Sequence, residues 1–258
     1  MAASKKHWVC GGEWLGSPRA TVKADSGTAV PVGSADDAAH AVGAALQAFP
    51  VWAAVPTPAR GRVFAEFVDL VAGRRDDLIR LMQAESKMSR AEAGAAFTRG
   101  MEILNFVADV QAALQWGITG PGAAERQPIG VGVGLIPAAR AFEASLWMFP
   151  VAVASGNTFI LKASPRAPSV PLMLAGLLGK AGAPPGVLNV LFGDAQTGRD
   201  LIADRRVAGI GFLGDTLAAD EVYTFAIAHG KLVQALDSGR CSWLRPPRQV
   251  LYTPWSPW

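Results

Sequence analysis

Ser155-Gly156-Asn157-Thr158-Phe159-Ile160-Leu161-Lys162 is the stretch on which the fold turns. Thr158 to Leu161 is a short apolar run with β-branched residues, entered through the turn pair Gly156-Asn157 and closed by a lysine. That is the pattern of a buried strand with a polar residue at its end. Ahead of it stands the apolar phrase Leu146-Trp147-Met148-Phe149-Pro150. Behind it, Ala167-Pro168-Ser169 opens a helix that carries Leu172, Ala175, Leu177 and Leu178 and stops at Gly182, before Pro184-Pro185-Gly186. Val187 to Phe192 reads as a second strand and Val207 to Leu213 as a third, with a helix-length segment between them. Strands that are apolar throughout and alternate with helices predict an α/β fold, a doubly wound, mostly parallel sheet covered on both faces. Ligands in such sheets gather at the carboxyl ends of the strands. Lys162 and Ser164 lie at one such end; Gly214, Asp215 and Thr216 lie at another.

Upstream, residues 8 to 33 have short apolar runs broken by Gly11-Gly12 and Pro31 and read as a small strand region. Ser34 caps a helix with Asp36 and Asp37 in its first turn, and Ala41, Ala44, Ala45, Phe49 and Trp52 form its apolar stripe. A second helix follows Pro58, with Val63, Phe64, Phe67, Val68 and Val71 at helical spacing, a pattern that Leu78, Leu81 and Met82 continue. A third spans about Ser89 to Gln115, so a helical segment from Ser34 to Trp116 precedes the sheet. Residues 117 to 128 are rich in Gly, Pro and Ala and read as a linker or extended arm. The sheet unit begins at Ile129, with strands near 129–135, 158–162, 187–192, 208–213 and 232–236, and its carboxyl ends place Lys162 and Gly214 at one edge. Gly130-Val131-Gly132-Val133-Gly134 alternates its glycines, so it does not follow the spacing of a dinucleotide-binding loop and reads as a glycine-rich strand.

Composition bounds the function. Half of the 258 residues are hydrophobic and 17% are charged, enough for a large core. A net charge of +3, scattered except at Lys5-Lys6 and Arg74-Arg75, lacks the concentrated stripe of a nucleic-acid binder. Cys10 and Cys241 are the two cysteines, which suggests neither a disulfide framework nor a metal cluster and fits a reducing, cytoplasmic setting. The most hydrophobic window, Phe142 to Leu161, is broken by Glu143, Pro150 and Asn157 and reads as protein interior rather than a membrane span.

The phrases WMFPVAVASGNTFILKAS (147–164), PSVPLMLAGLLGKAGAPPGVLNVLFGD (168–194) and GIGFLGDT (209–216) resemble the aldehyde dehydrogenase superfamily, and within it the CoA-acylating methylmalonate-semialdehyde dehydrogenases. The resemblance implies that residues 1–236 are a Rossmann-like NAD-binding domain and that 117–128 are an arm used to pair subunits into a homo-oligomer. It implies oxidation of a small aldehyde with NAD as cofactor and CoA as co-substrate. It carries the adenosine-ribose lysine onto Lys162, with Ser164 and Arg166 on matching positions, and a cofactor contact onto Phe212 and Gly214.

Several positions depart from that pattern. Pro165 stands where a glutamate often shares the ribose, and proline has neither donor nor carboxylate. Asp215 replaces a serine at a junction that suits a pyrophosphate; it is a good helix cap, yet it sets like charge against a phosphate. Ala139 stands where the family keeps the asparagine that donates to an oxyanion, and loss of one such donor costs about 10²–10³ in rate. The family's nucleophilic cysteine belongs to a second α/β domain, in chains roughly twice as long as this one. Cys241 falls too early for it, in an Arg-Cys setting of a different phrase. The family phrasing ends near Asp237, and residues 237–258 form a Pro- and Trp-rich tail without periodicity. The expectation is a NAD-binding half without its catalytic domain, binding NAD weakly and catalytically incompetent by itself. Two alternatives remain: an active enzyme using Cys241 or a partner chain, and a non-enzymatic interaction module built on the helices and an exposed sheet edge.

Overall fold

The computed structural model describes residues 5–115 and 127–237. Cys241 and the tail lie outside the described residues, as do residues 117–126 of the arm expected at 117–128. The chain starts with a hairpin, β1 (His7–Val9) and β2 (Gly12–Trp14), and a two-stranded sheet of β3 (Ala20–Lys23) and β4 (Ala29–Val32). Four helices follow: α1 (Ala35–Ala53), α2 (Thr57–Ala72), α3 (Arg75–Ser86) and α4 (Arg90–Gln115). The pattern read as one helix from Pro58 through Met82 is two, because the chain breaks at Gly73-Arg74 and restarts with Asp76 and Asp77 in the first turn of α3. Ser34 caps α1 as expected, in a full capping box with Asp37.

The doubly wound unit then runs β5 (Val131–Ile136), α5 (Ala141–Ala154), β6 (Thr158–Ala163), α6 (Ser169–Lys180), β7 (Leu188–Phe192), α7 (Ala195–Ala203), β8 (Val207–Gly214), α8 (Thr216–Ala228) and β9 (Leu232–Asp237). Strand order is β2-β1-β7-β6-β5-β8-β9. The five strands from β7 to β9 are mutually parallel, and β1 joins β7 antiparallel through Trp8 and Val190. The hairpin therefore extends the main sheet, which the short apolar runs of the amino-terminal region did not reveal.

The glycines of β5 serve packing. A Cβ on Gly132 would lie 2.8 Å from the Phe159 ring, and one on Gly134 would lie 2.8 Å from that ring and 2.9 Å from Met148 Sδ. They make room for the central aromatic of β6 and for α5, as a strand reading requires and a phosphate loop does not.

One face of the sheet is covered by α5 and α6, with α2, α3 and α4 stacked behind them; α1, α7 and α8 cover the other. The first core is aromatic: Trp52, Phe64, Phe67, Phe142, Phe149 and Phe192 are all fully buried. Phe67 meets Phe149 edge-on with ring centroids 5.9 Å apart, a favoured aromatic geometry. The carbonyls at the end of α5 have no helical partner. Trp52 Nε1 donates to Val153 O at 2.7 Å and Arg60 Nε to Ala154 O at 2.9 Å, so two helices from the amino-terminal segment satisfy the end of α5. Glu85, buried on α3, does the reverse service for α6 by accepting from Ser169 N at 2.9 Å and Ser169 Oγ at 2.6 Å. Among the described residues no single helix is long and apolar enough to cross a membrane, and no cluster of side chains has the makings of a metal site.

Candidate functional site

The switch point of the sheet is β5, whose two neighbours, β6 and β8, lead away in opposite directions; sheets of this kind take their ligands outside the carboxyl ends of the strands at such a point. Register fixes what lies beside it. Leu135 of β5 pairs with Lys162 on one side and with Phe212 on the other. The sheet thus brings Lys162, Phe212 and Gly214 to the same edge, as the sequence predicts. Ala139 is exposed on the 3-10 turn Ala138–Arg140 that follows β5. Its side chain is a methyl group, with no hydrogen-bond donor.

Lys162 is the penultimate residue of β6, an otherwise buried strand, and is itself half-buried. Burial pushes its ammonium down to about 8, against a smaller opposing pull from the Asp194 carboxylate. No hydrogen bond or ion pair within the described residues reaches its Nζ. A desolvated ammonium without an acceptor is costly, and it is a donor in waiting.

Phe212 and Gly214 are coupled to each other. A Cβ on Gly214 would overlap the Phe212 ring, so the ring lies directly against the glycine α-carbon at the strand-to-helix junction. Asp215 caps α8, accepting from Ala218 N at 2.9 Å, and its carboxylate is exposed at that helix start. The cap reading of the sequence is correct, and the negative charge occupies the positive end of the helix.

Ser164 and Arg166 lie past the end of β6 and are engaged locally. Ser164 Oγ accepts from Arg166 N at 3.3 Å. The exposed Arg166 guanidinium pairs with Asp25 in the turn between β3 and β4, at 3.3 and 3.4 Å. Pro165 lies between them, buried.

Asp194 was not singled out from the sequence. It is the residue after Gly193, whose amide donates to Ala163 O at 3.1 Å, which places it beside the end of β6. It caps α7 through the Gln196 and Thr197 amides, at 3.0 and 3.2 Å, and pairs with Arg19 at 2.6 Å. Desolvation raises its carboxyl, but the Thr197 amide, Arg19 and the Gln196 amide together outweigh that and hold it below the usual carboxylate range. The signal was present as a Gly-Asp pair closing a strand before a helix.

Among the described residues the cysteine is Cys10, in the left-handed turn of the β1–β2 hairpin with φ 53°. Its amide donates to Asn189 Oδ1 at 3.1 Å near the start of β7, at the opposite edge of the sheet from Lys162.

The profile of the aldehyde dehydrogenase family matches residues 20–242. The chain belongs to the aldehyde dehydrogenase family. Its relatives include malonate-semialdehyde dehydrogenase 1 of Geobacillus thermodenitrificans, 36% identical over 89% of this chain and 50% of the relative. The corresponding enzyme of Bacillus pumilus is 35% identical over 88% of this chain and 49% of its own length. Among solved structures, a protein of Sinorhizobium meliloti 1021 that carries the name methylmalonate-semialdehyde dehydrogenase, complexed with NAD, superposes with a TM-score of 0.85 at 33% identity. It matches over 92% of this chain and 51% of its own. The methylmalonate-semialdehyde dehydrogenase of Oceanimonas doudoroffii gives 0.85 at 32%. This aldehyde dehydrogenase chain spans about half the length of the curated relatives it matches, their amino-terminal half. Its mostly parallel sheet is the family's NAD-binding type of fold.

Proposed function

We propose that residues 1–236 form a dinucleotide-binding domain that holds NAD at the carboxyl edge of the sheet, and that the 258-residue chain taken by itself does not oxidise aldehydes. The observation that supports this reading is the pair of strand ends flanking β5. On one of them Lys162 presents an ammonium with no hydrogen-bond or ion-pair partner among the described residues; on the other Gly214 keeps a strand-to-helix junction free of side chain. The residues fit the adenosine end of NAD well, since an ammonium donates to ribose hydroxyls. They fit the diphosphate poorly, since Asp215 caps the helix that would otherwise receive it. NAD, when bound, would supply the hydride acceptor; Lys162 would orient the ribose, and Phe212 and Gly214 would lie beside it at the end of β8.

Two features support the catalytic half of the proposal. Ala139 leaves an oxyanion without its amide donor, and Cys10 lies at the wrong edge of the sheet. In the longer relatives the chemistry would use methylmalonate or malonate semialdehyde, and CoA as the acyl acceptor; for this chain alone the proposal is binding without turnover.

The experiment is calorimetric titration of NAD into the wild-type chain and into Asp215→Ser, beside an assay of NADH formation from methylmalonate semialdehyde with and without CoA. Two unit charges ~5 Å apart repel by about 3 kcal/mol at an effective dielectric of ~20, and less at an exposed site. Serine keeps a cap, so Asp215→Ser is expected to bind NAD about tenfold more tightly. No heat with either form would overturn the binding reading. Turnover that disappears in Cys241→Ala would overturn the catalytic one.

A further inference from the structure

The wild-type sequence lacks a carboxylate at Pro165, yet the structure sets another one beside Lys162. We propose that Asp194 reads the adenosine ribose in place of the missing group and makes the site select NAD over NADP. This rests on the NAD-binding reading given above and deepens it.

The argument starts from the two oxygens of Asp194. Among the described residues, every hydrogen bond to this carboxylate converges on Oδ1: the amides of Gln196 and Thr197, the Thr197 hydroxyl at 3.5 Å and the Arg19 guanidinium. Capping α7 and pairing with Arg19 therefore use one oxygen. No hydrogen bond within the described residues reaches Oδ2, and the side chain is 56% exposed. A residue that served only as a cap would need no more than the first oxygen, which a serine or asparagine could supply equally well.

Topology puts this free acceptor next to the free donor. Lys162 pairs with Leu191 and Ala163 with Phe192, so β7 runs beside β6 to its end, and Asp194 follows two residues later. The two charges act on each other, but no ion pair within 4.0 Å joins them. The edge between β6 and β7 thus offers an ammonium that only donates and a carboxylate oxygen that only accepts. That pattern complements a vicinal diol, one hydroxyl accepting and its neighbour donating, which is the 2′,3′ edge of the adenosine ribose.

The same oxygen opposes a phosphate. A 2′-phosphate carries close to two negative charges and can donate nothing to Oδ2 at neutral pH. Arg19 is already paired with Asp194, and Arg166, past the end of β6, with Asp25. Among the described residues that leaves Lys162 to compensate. Because NAD and NADP share their diphosphate and nicotinamide, any burden from Asp215 cancels in the ratio of their affinities, and that ratio isolates the ribose.

The test is fluorescence or calorimetric titration of NAD and NADP into the wild-type chain, Asp194→Asn and Asp194→Ser, with thermal unfolding of each. Both substitutions retain an oxygen that caps α7, so both are expected to fold. Wild type should prefer NAD by on the order of 100-fold, and both variants should cut the preference to about tenfold or less, mainly by gaining affinity for NADP. An NAD/NADP ratio that is unchanged in both variants while NAD still binds would overturn this inference and leave the binding reading intact. A wild-type chain that already takes NADP as well as NAD would also overturn it. Failure of wild type to bind either dinucleotide would overturn the binding reading and this inference with it.

Discussion

The two flanks of the sheet are built differently. On the β7 side, the β1–β2 hairpin closes the edge, α1 and α6 pack across it, and buried polar residues are spent on holding it: His7, Asp37, Asn189 and Thr197 are all fully buried. On the β8–β9 side the strands bear Gly209, Gly211 and Gly214, Leu232 is 50% exposed and Leu217 at the start of α8 is 83% exposed. The side chains proposed above to hold the adenosine end of a dinucleotide, Lys162 and Asp194, stand on the first flank. Asp215, proposed to burden the diphosphate, stands on the second. A charge on a thickly packed edge is held in one place and can discriminate between ligands; a charge on a thin, solvated edge mainly adds a screened field.

The largest effect that would break this contrast lies in the core behind the first flank. Phe149→Ala removes a ring that is fully buried against Phe67 and is expected to cost about 3–5 kcal/mol in urea unfolding. Leu232→Ala, on the open strand, should cost less than about 1 kcal/mol. Equal costs would mean that the two flanks are equally organised.

The next effect is a pH dependence confined to the hairpin. His7 Nδ1 accepts from Phe192 N at 3.1 Å, and Nε2 is buried without a hydrogen-bond partner, 3.9 Å from Asp37 Oδ2. Burial pushes the imidazole down to about 4, with Asp37 opposing. The unfolded chain therefore binds a proton between pH ~6.5 and ~4 that the folded chain refuses, so stability is full above ~6.5 and falls as the pH drops through that window, by roughly 3 kcal/mol at most. His7→Asn keeps an acceptor in the Nδ1 position and should flatten the urea midpoint between pH 7 and 5. A midpoint in the variant as steep in pH as wild type would place the titration elsewhere.

The smallest effect separates binding from stability at one residue. Lys162→Met removes a desolvated charge that has no partner, so unfolding free energy at pH 7 should hold or rise, while NAD affinity should drop by about tenfold to 100-fold. A variant that loses stability and binding together would make Lys162 a structural residue. In the wild type, stability should also rise from pH ~8 toward ~10.5, because the unfolded lysine keeps its proton there and the folded one sheds it.

Much of this molecule was legible as sequence. The five parallel strands, the lysine at the end of β6, the aspartate cap of α8 and the strand character of the alternating glycines all follow from local pattern, because hydrophobic period and capping chemistry act within a few residues. The functional groups carried by Ala139, Pro165 and Asp215 were legible too, since a side chain's chemistry is read directly from the sequence. What only the tertiary structure decided is which distant groups meet. The hairpin became two strands of the main sheet because Trp8 found Val190 across 182 positions of chain. Glu85 became the cap of α6, and Asp194 became the neighbour of Lys162. Those pairings come from strand order and helix packing, which no local window contains: a carboxylate has the same chemistry everywhere in the chain, and only the fold chooses the charge that stands beside it.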